Sequence, residues 1–201
     1  MKLVTLVSGG IDSTLMSVLA KEQGFDLFPL FINYGQLALK YEWQSCLYNH
    51  SKHNLHKPKK VDLVGFGKLL HSGLTDGKLR VKEDAFLPGR NSLFLLVACS
   101  YAYQIGSKNV SIGLLNDKFK LFPDQSKEFI QVIQNFINFE MNYDVKVLTP
   151  LMEFNKAEVI ELAKLKKINR TYSCHSGKSK PCGKCISCLE IENALINLKN
   201  K

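Results

Sequence analysis

SGGIDS, at residues 8–13, joins the β-branched, apolar run Lys2–Val7 to an amphipathic stretch that Gly24 closes. The run has the length and composition of a strand, and the apolar spacing after the turn is that of a helix. The six residues therefore form a strand-to-helix turn. Open α/β sheets bind their ligands at such turns.

The composition of this turn suits a phosphate group. Gly9 and Gly10 have no Cβ atoms, so an anion can approach the backbone and a positive φ costs little. The N–H groups that follow lack helical partners and point at the anion, with the helix dipole behind them. Ser8 and Ser13 add hydroxyl donors, and Asp12 either caps the helix or holds a magnesium ion carried by the phosphates. The alternative is an ordinary tight turn with a Ser/Asp cap.

Two other phosphate motifs are absent from the sequence. Gly177-Lys178-Ser179 imitates the end of a P-loop, but Tyr172 stands where the first glycine is required. Gly65-Phe66-Gly67 begins like a dinucleotide fingerprint but has no third glycine. The turn at residues 8–13 is thus the phosphate-binding candidate.

Length and composition place the chain among cytoplasmic globular proteins. Its 201 residues suit one domain over 1–201, and 45% of them are hydrophobic. No apolar run approaches the roughly 20 residues that span a bilayer, so no membrane association is expected. The net charge of +9 comes from lysines spread along the chain. A positive cleft for a polyanionic small substrate explains this charge better than nucleic-acid binding.

Apolar runs alternate with helical patterns along the chain, which predicts a doubly wound, parallel α/β sheet of about five strands. A long polar segment at residues 71–89 is a candidate active-site loop. The predicted strands are 2–7, 26–33, 59–66, 109–115 and 145–151, and the predicted helices are 13–24, 37–51, 92–106, 126–139 and 155–167.

Four of the six cysteines lie close together near the C-terminus. Cys174, Cys182, Cys185 and Cys188 have a spacing that favours a tetrahedral zinc site, within a segment spanning residues 172–188. An iron–sulfur cluster also takes four cysteines and stays open as an alternative. A disulfide fits a reducing compartment poorly. Zinc with four protein ligands would be structural, because no position is left for water.

The turn is similar to the SGGxDS loop of the ATP-pyrophosphatase superfamily, whose members adenylate a carboxylate or a base carbonyl. Together with the cysteines, it makes the chain resemble the 7-cyano-7-deazaguanine synthase family. The resemblance covers nearly the whole chain. It is carried by YGQ at 34–36, LPGRNSLFLLVACSYA at 87–102, FPDQSKEF at 122–129, TPLMEFNKAEVIELA at 149–163 and YSCHSGKSKPCGKCISC at 172–188.

The resemblance implies a ligase that turns the carboxylate of 7-carboxy-7-deazaguanine into a nitrile, with ATP, magnesium and ammonia. Asp12 and Lys156 are then the candidate catalytic residues, although Lys156 is by its residue type alone equally well an exposed lysine. A homodimer is the expected assembly. The ATP site implied is Val7, Ser8, Gly9, Gly10, Ile11, Asp12, Ser13, Thr14 and Lys156.

Four residues are candidates for the acid substrate. Arg90 can pair with a carboxylate or phosphate, and Asn91 can hydrogen-bond a purine-like edge. Asn91 as a helix cap, with Arg90 at the surface, is the alternative. Asp117 and Asp124 follow a predicted strand, where either could accept from a deazapurine N–H or serve a turn.

The sequence departs from the family on the substrate side. Gln125-Ser126 replaces a Cys-Arg pair, Leu37-Ala38 replaces Arg-His, and a family glutamate is displaced to Glu42. These changes leave three functions open: the nitrile-forming ligase, a related ligase for a different carboxylate, and a basic zinc-containing nucleic-acid-binding module. The complete SGGIDS motif argues against the third.

Overall fold

The computed structural model of the protein describes residues 1–116, 118 and 120–200. Strands and helices alternate through most of this length. In chain order they are β1 Lys2–Val7, α1 Ile11–Glu22, β2 Asp26–Asn33, α2 Leu39–Lys52, β3 Lys59–Asp62, α3 Val64–Leu69, α4 Arg90–Ile105, β4 Asn109–Ser111, a 3-10 turn at Pro123–Gln125, α5 Lys127–Met141, β5 Lys146–Leu148, α6 Lys156–Leu165 and α7 Ile186–Lys199.

The strands form one sheet in the order β3-β2-β1-β4-β5. Every neighbouring pair is parallel, and β1 pairs with β2 along its whole length, from Lys2 opposite Asp26 to Val7 opposite Phe31. The predicted parallel sheet of about five strands is confirmed. Since the strand order reverses between β1 and β4, a crevice opens beyond their carboxyl ends, where such sheets bind ligands.

Side chains alternate across the sheet, which gives the protein a core on each face. Leu3 and Leu27 pack with α1 and α6, whereas Val4 and Leu30 pack with α4 and α5. All four side chains are buried, and each stabilises the fold by about 1.5–3 kcal/mol. Helices on both faces confirm the doubly wound arrangement.

The strand predicted at residues 59–66 is wrong in its second half. β3 ends at Asp62, whose carboxylate accepts a 2.6 Å hydrogen bond from the Asn33 side chain. The chain then turns into α3, where Gly67 packs so closely on the Tyr34 carbonyl that a Cβ atom would overlap it. Periodicity cannot separate a short helix from a strand in an apolar run of this length.

The structure differs from the prediction at three further elements, namely two strands and one helix. β4 and β5 are three residues each, shorter than the predicted strands at 109–115 and 145–151. α7, which the sequence analysis did not predict, follows the last cysteines. Residues 71–89 form an irregular loop as predicted, held by bonds such as Gly73 N–H to the Asp84 carbonyl at 2.8 Å. Among the described residues, no helix has both the length and the apolarity to cross a bilayer.

Candidate active site

The turn after β1 is packed tightly against α2. Gly9 has a φ of +80°, and a Cβ atom there would overlap the Glu42 carbonyl. The Gly9 carbonyl accepts hydrogen bonds from Ser45 Oγ at 2.6 Å and from the Tyr172 N–H at 3.0 Å. Gly9 is therefore required by the packing of the turn itself, whatever ligand the turn receives.

The start of α1 offers the donors that an anion needs. Gly10 is the N-cap, so Asp12 does not cap this helix, and the Ser/Asp-cap alternative is wrong. The Ser8 and Ser13 hydroxyls lie 3.2 Å apart at the turn. In the part of the chain that the structure describes, the first-turn N–H groups of residues 11–13 have no acceptor. These groups form the anion cradle, by which we mean residues 8–13.

The remaining residues of the predicted ATP site support the cradle from behind. Val7 is the buried last residue of β1, and the partly buried Ile11 packs towards α6. Thr14 Oγ1 donates to the Gly10 carbonyl at 2.8 Å. Thr14 thereby holds the Gly10 carbonyl, and Ile11 anchors the start of α1 on α6.

Lys156 lies beside the cradle, although 144 residues separate it from Asp12. Its Nζ donates to both carboxylate oxygens of Asp12, at 2.9 and 2.8 Å, and lies 3.1 Å from Glu190 Oε2. The alternative of an exposed lysine is wrong, since only 7% of the side chain is exposed. Burial lowers the pKa of Lys156, but the two carboxylates outweigh burial and raise it, so the ammonium stays charged.

A capping box places Lys156 at the first residue of α6. The Asn155 side chain accepts from the Glu158 N–H at 3.1 Å, and the Glu158 carboxylate accepts from the Asn155 N–H at 2.8 Å. The loop between β5 and α6 thereby brings α6 to the same edge of the sheet as the cradle.

Two of the predicted substrate residues are linked to each other. Asn91 is buried in the first turn of α4 and donates from Nδ2 to the Asp124 carbonyl at 3.1 Å. It is not the helix cap, which is Gly89 in the left-handed conformation. Burial raises the pKa of Asp124, while the Arg90 guanidinium opposes the rise. The fourth predicted residue, Asp117, lies outside the described residues.

Asp124 lines a wide, largely apolar cavity, whereas Arg90 lies beside an aromatic ring. The Arg90 guanidinium lies 5.9 Å from the centre of the Tyr34 ring, which is a cation–π distance. Asp124 lines a cavity of about 690 Å³ together with Phe86 and Phe122, whose rings stack at 5.0 Å. A flat, partly polar ring system fits walls of this kind.

The four C-terminal cysteines come together as predicted. The sulfur atoms of Cys174, Cys182, Cys185 and Cys188 all lie within 4.8 Å of one another, and none forms a disulfide. The Lys184 and Cys185 N–H groups donate to Cys182 Sγ at 3.4 and 3.3 Å. Burial opposes ionisation of Cys182, but these N–H groups, together with hydrogen bonds from the Cys174 and Cys185 side chains, lower its pKa to about 6. The cluster offers four sulfur ligands to one metal ion, in the manner of a closed tetrahedral site.

The cysteine cluster also bears on the cradle. The segment leading into Cys174 donates the Tyr172 N–H to Gly9, and Tyr172 stacks on Tyr41 of α2 with ring centres 5.2 Å apart. Gly177 packs so closely on the Leu37 carbonyl that no Cβ atom fits. The segment that carries the cluster therefore contacts the turn after β1.

The sequence did not predict that two further residues, Glu190 and Glu42, belong to the site. Glu190 reaches Lys156 from α7, and no motif marks it beyond its place two residues after Cys188. Glu42 accepts from Gln36 Nε2 at 2.9 Å, and burial raises its pKa to about 7 despite that bond and the charge of Arg90. The sequence marks Glu42 only as a displaced family glutamate. The YGQ motif is the signal that could have identified it, because Gln36 of that motif is the residue that donates to Glu42.

The sheet order and the cradle define the class of protein, an ATP-pyrophosphatase-type α/β fold. NMN synthetase from Francisella tularensis superposes with a TM-score of 0.56 at 17% identity, covering 98% of this chain and 76% of that one. The U34-tRNA thiolase NcsA from Methanococcus maripaludis, solved with its 4Fe-4S cluster, gives 0.52 at 17% identity, covering 100% and 67%. At these identities the likeness is one of fold.

The sequence relatives are more specific. The family described as "Queuosine biosynthesis protein QueC" matches residues 2–199. Proteins named 7-cyano-7-deazaguanine synthase from Prochlorococcus marinus strain MIT 9301 and Campylobacter jejuni subsp. jejuni serotype O:6 are 34% and 31% identical. They cover 99% and 94% of this chain, which in turn covers 96% and 90% of them. The chain belongs to the QueC family and is an ATP-dependent enzyme of the ligase type.

Proposed function

We propose that this chain converts the carboxylate of 7-carboxy-7-deazaguanine to a nitrile, using ATP and ammonia. The name shared by its relatives supports this reaction. The observation that carries the proposal is the anion cradle: bare N–H groups at the start of α1, with the Lys156 ammonium held 2.8 Å from Asp12 beside them. This arrangement suits the pyrophosphate that leaves when a carboxylate is adenylated.

In the first step, the substrate carboxylate attacks the α-phosphorus of ATP. A bond forms between the carboxylate oxygen and phosphorus, the bond to the β-phosphate oxygen breaks, and pyrophosphate leaves. The cradle donates to the β- and γ-phosphates, and Lys156 neutralises the charge that develops on the leaving group. Magnesium carried by ATP would supply further charge neutralisation, and Asp12 is the carboxylate within the cradle that would hold it. Positioning and charge neutralisation dominate the catalysis of such displacements.

In the later steps, ammonia attacks the acyl carbon and AMP leaves, which gives an amide after loss of a proton. The amide oxygen then attacks the α-phosphorus of a second ATP, and a second pyrophosphate leaves. Loss of that oxygen with AMP, and of both N–H protons, leaves the nitrile. We propose that Arg90 binds the substrate carboxylate or the phosphate of its adenylate. Asn91 holds the Asp124 segment in place, and Asp124 accepts a hydrogen bond from a ring N–H of the substrate. The cavity beside Asp124 has room for the deazapurine.

We assign one structural zinc ion to the four cysteines. Four thiolates complete a tetrahedral shell, so no step of the reaction involves the metal. The sulfur atoms are close enough to share one ion, and residues 172–188 carry both the cluster and the Tyr172 contact to Gly9. An iron–sulfur cluster, such as the 4Fe-4S cluster of the thiolase NcsA, is the alternative.

A different carboxylate substrate is the second candidate, and residues 125–126 favour it. Gln125 accepts from the backbone N–H groups of Leu121 and Phe122, and Ser126 caps α5 through the Phe129 N–H. Both side chains make their hydrogen bonds to nearby backbone groups. The family has Cys-Arg at these two positions. Losing a charge-assisted hydrogen bond of about 1.5–3 kcal/mol weakens binding by about ten- to a hundred-fold.

The deciding experiment measures nitrile formation from 7-carboxy-7-deazaguanine, ATP and ammonia by mass spectrometry. Turnover of about one per second or faster, on the scale of ordinary enzymes, supports the nitrile-forming reaction and contradicts a changed substrate. Pyrophosphate release only with another acid or amine contradicts the nitrile-forming reaction and supports the second candidate.

The expected homodimer and the expected cytoplasmic location stay predictions. Membership of an enzyme family argues against the third alternative, a module that only binds nucleic acid. Sedimentation of the purified, metal-loaded chain tests the dimer directly.

A further inference from the structure

Lys156 has a second carboxylate partner that the proposed reaction does not use. Its Nζ lies between Asp12, at 2.8 Å, and Glu190, at 3.1 Å. Asp12 comes from the cradle, whereas Glu190 comes from α7, which follows the cysteine cluster. The ammonium is thus held by two carboxylates from separate parts of the chain.

The position of Glu190 depends on the cysteine cluster. Cys185 is the N-cap of α7 and Cys188 lies in its first turn, two residues before Glu190. The helix packs on α6 through Ala157, Ile160 and Ala194. The cluster and this contact therefore fix the distance between Glu190 and Lys156, which is the first residue of α6.

The two carboxylates differ in their position relative to the ATP that the cradle is proposed to bind. Asp12 lies in the first turn of α1, next to the bare N–H groups, and a magnesium ion on the phosphates attracts it. Glu190 reaches Lys156 from α7, a different helix. If magnesium carried by ATP drew Asp12 away, Glu190 would remain to hold the ammonium.

We propose that Glu190 is a positioning residue for adenylation, which holds the Lys156 ammonium at the leaving pyrophosphate and links the cysteine cluster to the cradle. This inference rests on the proposed function, because it assigns Lys156 to the phosphates. Glu190 acts through Lys156 and does not touch the substrate. In support, burial alone would lower the pKa of Lys156, and Glu190 is one of the two groups that raise it.

Positioning and simple charge make opposite predictions. As a bare negative charge, with 40% of its side chain exposed, Glu190 repels ATP, and its removal would improve ATP binding and leave the chemistry alone. As a positioning residue, it matters most when charge develops on the leaving group. Its removal then lowers kcat while the KM for ATP stays the same or falls.

The first test compares Glu190→Gln with Glu192→Gln. Glu192 is exposed on the same helix, so its substitution makes the same charge change without touching Lys156. We expect kcat for pyrophosphate release to fall about tenfold in Glu190→Gln, the lower end for a charged hydrogen bond, with no rise in the KM for ATP. Glu192→Gln should stay within about twofold of wild type. An unchanged kcat in Glu190→Gln, or an equal fall in both variants, overturns the proposal.

The second test does not depend on activity. Trace labelling of lysines with acetic anhydride, read by mass spectrometry, compares Lys156 with the exposed Lys164 on the same helix. Release from Glu190 should raise the labelling of Lys156 relative to Lys164 several-fold in Glu190→Gln, and equal labelling overturns the proposal. If wild type forms no product from any acid, the proposed function fails while this readout still reports on Glu190.

Metal content and the unfolding midpoint are measured for each variant, because Glu190 lies close to Cys188. Should Glu190→Gln lose its metal, Glu190→Asp replaces it. Asp keeps the charge but is one methylene shorter, so it moves away from Lys156. We expect it to reduce kcat as well, and a metal-loaded Glu190→Asp with wild-type kcat overturns the proposal.

Discussion

The two glycines of the cradle can be separated by a matched pair of alanine substitutions. In Gly9→Ala, a φ of +80° costs an L-residue about 1–2 kcal/mol. The new Cβ would also lie 2.8 Å from the Cys46 backbone nitrogen and overlap the Glu42 carbonyl, so α2 must move. Disturbing its packing on Val7 and Phe31 costs about 1–3 kcal/mol more. We expect the free energy of unfolding to fall by about 2–5 kcal/mol.

Gly10→Ala should behave in the opposite way. Its φ of −73° and ψ of 166° suit any residue, and the new Cβ would make ordinary 3.4 Å contacts with the Ser8 and Ser173 hydroxyls. The free energy of unfolding should stay constant or rise by up to about 1 kcal/mol, because alanine restricts the unfolded chain. The methyl group stands in the cradle, however, where it displaces a phosphate oxygen. We expect kcat/KM for ATP to fall about ten- to a hundred-fold.

The assays are guanidinium unfolding followed by circular dichroism, with the metal bound, and pyrophosphate release under steady-state conditions. A Gly9→Ala variant as stable as wild type would refute the packing argument. A Gly10→Ala variant that releases pyrophosphate at the normal rate would refute the assignment of the cradle to ATP.

Three other predictions concern the metal, the buried lysine and pH. Wild type and Cys99→Ala should each bind one zinc ion per chain, whereas Cys182→Ser loses the metal and α7 melts; iron with visible absorption contradicts this assignment. Lys156→Met should reduce pyrophosphate release at least about a hundredfold while Lys164→Met stays near wild type, and normal turnover in Lys156→Met would refute its role. Burial raises the pKa of Glu42 to about 7 from 4.5, so folding takes up a proton and stability falls as pH rises between these values. Glu42→Gln should flatten that part of the unfolding curve against pH, and an unaltered slope would show that Glu42 is not desolvated.

Local patterns in the sequence predicted much of the fold and of the site. The strand before SGGIDS and the helix after it are recognisable because turn chemistry and side-chain periodicity are encoded within a few residues. The spacing of Cys174, Cys182, Cys185 and Cys188 likewise indicates a cluster, and the four sulfur atoms do lie together. Because these residues are near neighbours in the chain, little tertiary structure is needed to bring them close.

Local patterns failed where a neighbour in space decided the outcome. The apolar run at residues 59–66 turns into α3 because Asn33 binds Asp62 and Gly67 packs on the Tyr34 carbonyl. Asn91 looked like a helix cap, but Gly89 is the cap and the Asn91 amide donates to the Asp124 carbonyl, 33 residues away. In both cases the deciding partner lies on another element, which periodicity does not register.

The sequence alone determined that a strand-to-helix turn with the SGGIDS motif begins the fold and that four cysteines close to one another lie near its end. Only the tertiary structure decided that Lys156 is a buried ammonium between Asp12 and Glu190, because the three residues come from α6, α1 and α7. The sheet order brings α1 and α6 together on one face, and the cysteine cluster sets where α7 lies. A charge becomes buried and paired only when such distant elements pack, since the pairing energy depends on distances in space that no spacing along the chain specifies.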